Sequence, residues 1–246
     1  MEIADLTLAP LPAPLEIAAE TLTVIAVPVY GGKVAPLAMQ RLETVSSAGG
    51  PAALVVVYGN RAYETALTQL DAWACRKGFK VIAGGTFIGE HSYCTPEHPI
   101  AVGRPDADDL AFAEAFGRSV AGKIAAATDM EHLYGVDVSR IPRPKQPIWP
   151  MLKFIYRIAK WRKSGAVFPR MPQTDAGRCT HCGLCVKSCP NAAIVEGDEC
   201  NTIQERCTRC CACVKCCPRQ ARRFDTPFAP LLSANFNRPK ANKTIL

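Results

Sequence analysis

Arg178–Asn191 reads RCTHCGLCVKSCPN, and Arg206–Arg219 reads RCTRCCACVKCCPR. Each holds one complete run of cysteines, Cys179-x2-Cys182-x2-Cys185-x3-Cys189-Pro190 and Cys207-x2-Cys210-x2-Cys213-x3-Cys217-Pro218, and the two runs stand 28 residues apart, as an internal duplication. Three cysteines at this spacing wrap a tight loop around one iron–sulfur cubane, and the fourth, carried on a short following helix, reaches the other one. The expected ligands are therefore crossed. Cys179, Cys182, Cys185 and Cys217 hold the first [4Fe–4S] cluster, and Cys207, Cys210, Cys213 and Cys189 hold the second. Gly183 relieves crowding where backbone amides approach cluster sulfurs, and Cys211 stands at the equivalent place in the second loop.

Two other chemistries compete for these cysteines. Zinc knuckles use four ligands, often as separated CxxC pairs, and give no reason for the Cys-Pro endings. A disulfide framework belongs to an oxidising compartment. The N-terminal MEIADLTLAPLPAPLEIAAE has no basic start and does not resemble a secretory signal. A cytoplasmic location with reduced thiols is the expectation. Of 13 cysteines, 11 fall between Cys179 and Cys217. Cys200, Cys211 and Cys216 are surplus to the two ligand sets, either as buried or partly exposed free thiols next to the clusters or, for Cys211 and Cys216, as substitutes for a neighbouring ligand. His181 is expected to face solvent and not to bind metal.

Upstream, residues 138–174 carry many lysines and arginines and no acidic residue. IPRPKQPIWP is too proline-rich to be regular, and Met151–Lys163 suits a short amphipathic helix. Before it, apolar runs alternate with helical spacing. Strands are expected at Thr23–Tyr30, Ala53–Tyr58 and Phe79–Ile88, with helices at Pro36–Ser47, Arg61–Lys77 and from Asp108 onward. Continuous apolar strands alternating with helices point to a parallel sheet covered on both faces. The expected organisation is a partial α/β domain over 1–128, a basic proline-rich linker over 129–174, a cluster-binding domain over 175–223 and a surface tail over 224–246.

PVYGG closes the first strand and YGNRAYETAL closes the next, and these segments resemble the two flavin-ring loops of a flavodoxin. FIGEHSY and VGRPDADDL continue the pattern. With the tandem cysteine motif, the chain resembles the flavodoxin–ferredoxin fusion family of bacteria and archaea over roughly residues 22–223. The resemblance implies a flavodoxin-like α/β parallel sheet joined to a small α+β bacterial ferredoxin domain. It also implies flavin mononucleotide (FMN), with Tyr30, Gly31 and Gly32 on one side of the ring and Tyr58, Gly59 and Asn60 on the other. The first strand and phosphate loop of a flavodoxin are missing from residues 1–20, so FMN is conditional. The chain is expected to start inside the domain, either because the true start lies upstream of Met1 or because the phosphate site has been lost.

The function expected is single-electron relay through two clusters, coupled to FMN if the flavin binds. The alternative is a flavin-dependent small-substrate reductase fed by the clusters, for which His91 with Glu90 is the one weak proton-transfer candidate. The net charge of +7, the linker and Arg206, Arg209, Lys215, Arg219, Arg222 and Arg223 suit an acidic redox partner, with charge acting mainly on association rate. No nucleic-acid partner is expected, and no apolar run is long enough to span a bilayer. The linker helix could lie on an anionic membrane surface, though such a segment more often packs its apolar face between domains.

Overall fold

A computed structural model describes residues 2–129, 132–165 and 167–246. In chain order the first elements are β1 (Leu15–Ile17), β2 (Thr23–Tyr30), β3 (Lys33–Val34), α1 (Pro36–Leu42), β4 (Val45–Ser47), β5 (Pro51–Tyr58), α2 (Ala66–Arg76), β6 (Lys80–Ile88) and α3 (Ala107–Ala126). They are followed by α4 (Ile148–Ser164), β7 (Gln173–Thr174), α5 (Leu184–Lys187), α6 (Ala212–Lys215), β8 (Arg222–Arg223), α7 (Phe228–Phe236) and β9 (Lys243–Ile245). The chain divides into two compact units. One comprises residues 11–91, 101–145 and 238–246, and the other residues 1–10, 92–100 and 146–237.

The first unit is an α/β fold on a five-stranded sheet of order β3-β2-β5-β6-β9. β2, β5 and β6 run parallel, as their continuous apolar sequences suggest, while β3 and β9 are antiparallel edges. The sheet is thus mixed, not purely parallel. β1 and β4 form a separate parallel pair. The expected helix over Pro36–Ser47 ends at Leu42, because Val45–Ser47 pairs as a strand with Leu15–Ile17. The next helix starts at Ala66 rather than Arg61, because Asn60 and Glu64 take left-handed backbone (φ 69° and 41°) and hold the intervening residues in a turn.

α3 begins one residue before Asp108, behind a reciprocal cap. Asp106 Oδ1 accepts from the Asp109 amide at 3.0 Å, and Asp109 Oδ2 accepts from the Asp106 amide at 2.9 Å. Arg104 pairs with the same Asp109 carboxylate and holds its pKa down to about 2. Phe116 and Val120 of α3 close over Ala53, Ile82 and Ala83, and Trp73 of α2 is fully buried beside Phe79.

Residues 224–246 do not form the expected surface tail. Leu231, Leu232 and Phe236 of α7 are buried, and β9 completes the sheet edge. Asn242 fixes that edge, its Oδ1 accepting from the Ile88 amide at 2.8 Å while its Nδ2 donates to Asp109 at 2.7 Å. In the second unit α7 packs on α4 through edge-to-face pairs of Phe154 with Phe236 and Trp161 with Phe228. No described helix is long and apolar enough to cross a membrane.

Candidate metal centre

The duplication in the sequence is repeated in the backbone of the second unit. Left-handed residues occur in pairs 28 positions apart: His181 with Arg209, Gly183 with Cys211, and Ala192 with Gln220. Gly183 and Cys211 are the N-caps of α5 and α6, so each loop must turn through a left-handed residue before its helix can start. Each fourth cysteine then receives an amide from the residue four positions on. Ala193 donates to Cys189 Sγ at 3.2 Å, and Ala221 donates to Cys217 Sγ at 3.3 Å. β7 pairs antiparallel with β8 and brings Thr174 to Arg222.

Cys179, Cys182 and Cys185 line one cavity together with Cys217, 32 residues beyond Cys185 in the chain. That is the crossed set expected for the first cluster, gathered by the fold around a common space. Four cysteines lining one cavity match the ligand count of a [4Fe–4S] cubane. Of the other set, Cys207 has its thiol pushed up by burial and by its neighbours Cys210 and Cys189, and Cys213 is pushed up to about 12, chiefly by burial. Cys185 is raised for the same reason. Burial alone would raise Cys217 as well, but the amides of Ala221, Arg222 and Arg219 outweigh it and hold its thiol below the ordinary value. Buried thiolates are costly until a cation compensates them, so these cysteines gain most when iron is bound.

Arg222 supplies another compensating charge. It was expected on a basic docking face but is 3 % exposed. Its Nη1 donates to the Glu199 carbonyl at 2.6 Å and its Nη2 to Thr202, and its positive charge lies near the thiols of Cys185 and Cys213, one from each expected ligand set, and favours their thiolates. The sequence could not separate it from exposed Arg223 beside it, because only the short β7–β8 pairing decides which of the two faces inward.

The surplus cysteines are distributed unevenly. Cys200 gathers with Cys179 and His181, their ligand atoms all within 4.8 Å of one another. His181 is exposed, as expected. Its Nδ1 lies 2.7 Å from Oε2 of the buried Glu199. Cys211 is buried and pushed up to about 12, chiefly by that burial. Cys216 packs at the edge of a small core made by Cys185, Ile194 and Cys213. Tyr93, the last residue of the FIGEHSY segment, was not expected near the cysteines, yet it lies beside Cys211, Cys207 and Cys210 and stacks edge-on with Phe224 at 5.5 Å.

The residues expected to hold FMN lie at the ends of two adjacent parallel strands, where α/β sheets commonly bind ligands. Their side chains do not fit a flavin ring. Tyr58 is buried, its ring edge-on to Tyr63 at 5.4 Å, and burial raises its phenol. Asn60 is fully buried, with Oδ1 accepting from the Lys240 amide at 2.9 Å. The amides of Asn60 and Arg61 are bonded to the carbonyls of Tyr58 and Gly59. Glu64 stands against Gly32, whose carbonyl accepts from Thr65, and His91 stands against Gly59. Tyr30 is half-buried and Gly31 exposed.

Residues 172–195 match the 4Fe-4S binding domain family. The match spans the first motif, and the second lies beyond it. No curated protein and no solved structure matches the chain. The match and the cysteine-rich region together mark an iron–sulfur, ferredoxin-like part and support electron transfer as its chemistry.

Proposed function

We propose that this chain relays single electrons through two [4Fe–4S] clusters. Cys179, Cys182, Cys185 and Cys217 hold the first, and Cys207, Cys210, Cys213 and Cys189 hold the second, within a two-cluster domain over 175–223. The observation that carries the proposal is the meeting of Cys217 with the three cysteines of the other motif around one cavity. Bound clusters would supply reversible one-electron exchange. The protein's own residues do the rest. The left-handed turns at Gly183 and Cys211 aim the loops, Arg222 offsets buried negative charge, and Cys185 and Cys213 pack against one core that joins the two loops.

The flavodoxin-like reading of residues 1–128 remains a fold-level analogy, consistent with an α/β sheet. The reductase alternative needs a flavin, and the buried Tyr58 and Asn60 present no ring face for one. Exposed Arg206, Arg209, Arg219 and Arg223 suit an acidic redox partner.

Anaerobic purification followed by iron, sulfide and flavin analysis tests the proposal. About eight irons and eight sulfides per chain are expected from two cubanes. About four would reduce the proposal to one cluster, and zinc without sulfide would overturn it.

A further inference from the structure

α4 has two apolar faces, and the fold uses only one. Met151, Phe154, Ile158 and Trp161 are half-buried, with Met151 and Phe154 against the core that contains Leu232 and Phe236 of α7. At about 100° per residue these four span an arc of about 80°. Ile148, Leu152, Ile155 and Ala159 form a second arc of about 60°, on a different side of the helix. This second stripe is in solvent, with Ile148 74 % exposed and Ile155 55 % exposed. Trp149 and Tyr156, 74 % and 65 % exposed, flank it on one side. Beyond them come Lys153, Lys160 and Arg157, while Lys163 and Arg162 fall at the C-terminal end of the stripe. No acidic residue occurs in the helix.

We propose that this outer face of α4 docks on an anionic phospholipid surface, with the helix lying in the interfacial plane. Aliphatic side chains at the centre, aromatic side chains at the boundary and cations beyond them match the order of acyl chain, interface and phosphate in one leaflet. A second copy of the chain fits poorly, because pairing two such faces brings two clusters of cations together with no carboxylate on the helix to offset them. The helix contains no cysteine, and the proposal does not rest on cluster content.

The test uses the full-length, iron-loaded chain and sedimentation with vesicles of phosphatidylcholine alone or of phosphatidylcholine with phosphatidylglycerol. Binding to the anionic vesicles should be at least about tenfold tighter and weaken as salt is raised. Leu152→Gln with Ile155→Gln changes only exposed positions and should abolish it, and Lys153→Gln with Arg157→Gln and Lys160→Gln should remove the preference for anionic lipid. Trp emission should shift to the blue on binding, and Trp149→Phe should remove the shift. Failure of the wild-type chain to bind anionic vesicles at low salt overturns the proposal, as does binding that none of these variants weakens. A concentration-dependent increase in mass without lipid that Ile155→Gln abolishes also overturns it, in favour of self-association.

Discussion

Neutralising Arg222 should make both proposed clusters harder to reduce. Its guanidinium is buried and lies near Cys185 and Cys213, one thiol from each proposed ligand set. Reduction adds one negative charge to a cubane whose centre lies a few ångströms beyond its thiolates. At about 7 Å and an effective dielectric of about 20, a unit positive charge stabilises that added charge by about 2.4 kcal/mol. For one electron this is about 100 mV. Water entering the space left by Arg222→Gln would return part of it, so a fall of about 50–100 mV is expected, while Arg222→Lys should keep most of the wild-type potential. The assay is a redox titration followed by electron paramagnetic resonance, on samples matched for iron and sulfide so that cluster loss is not mistaken for a shift. Two unshifted potentials in a fully loaded Arg222→Gln protein would refute the electrostatic role. A shift in only one cluster would refute the placement of Arg222 between the two sets.

Cys182→Ser should lower bound iron by about half, from about eight to about four, as measured by colorimetric iron analysis. Cys179→Ser should lose less, because Cys200 lies in the same group of ligand atoms; the double variant with Cys200→Ser should then match Cys182→Ser. Cys211→Gly should leave iron and sulfide unchanged. Glycine relieves a left-handed backbone strain of about 1–2 kcal/mol, and the loss of a buried thiol offsets it, so thermal melting should move by only a few degrees. In the α/β unit, Asp109 has its carboxyl lowered to about 2, mainly by its hydrogen bond to Arg104. A lowered carboxyl stabilises the fold above its unfolded value and loses that contribution as pH falls through the folded one. Wild type should therefore lose on the order of 1 kcal/mol between about pH 4 and pH 2 that Asp109→Asn lacks at every pH, which denaturant titrations across that range would detect.

How legible each feature was in the sequence depended on whether its cause is local. The duplicated turns of the cysteine loops were legible because their geometry is set by spacing. A 28-residue repeat produced matching left-handed turns at His181 and Arg209 and matching amide bonds to Cys189 and Cys217. β5 and β6 were legible because a parallel strand buried on both faces must be apolar throughout, whereas β2 buries only Ile25 and Val27 on one face, leaves Val24 exposed on the other, and was legible from its β-branched run. β9 was not, since KTI has no apolar run of its own and becomes a strand because Asn242 anchors it to Ile88 and Asp109. The helix expected over Pro36–Ser47 was cut short by pairing with Leu15–Ile17, a partner distant in the chain.

The same distinction explains the site residues. Cys200 is surplus in the sequence because it fits neither run, and only the fold brings it to Cys179 and His181. Tyr58 resembles a ring-stacking residue because it precedes Gly59-Asn60 at a strand end. A strand-end tyrosine serves a ligand only if the next turn leaves its face open, and Tyr63 in that turn closes it. Arg222 makes the point most sharply. In sequence it is one cation among several, and charge counting assigns it to a docking surface. Its burial reverses that assignment. An arginine withdrawn from water beside cysteines from both motifs has little to offer a partner protein in solution, but it acts at full strength on charge added inside the fold. The identity of a residue could be read from the chain, whereas the dielectric around it, which decides what its charge does, had to come from the structure.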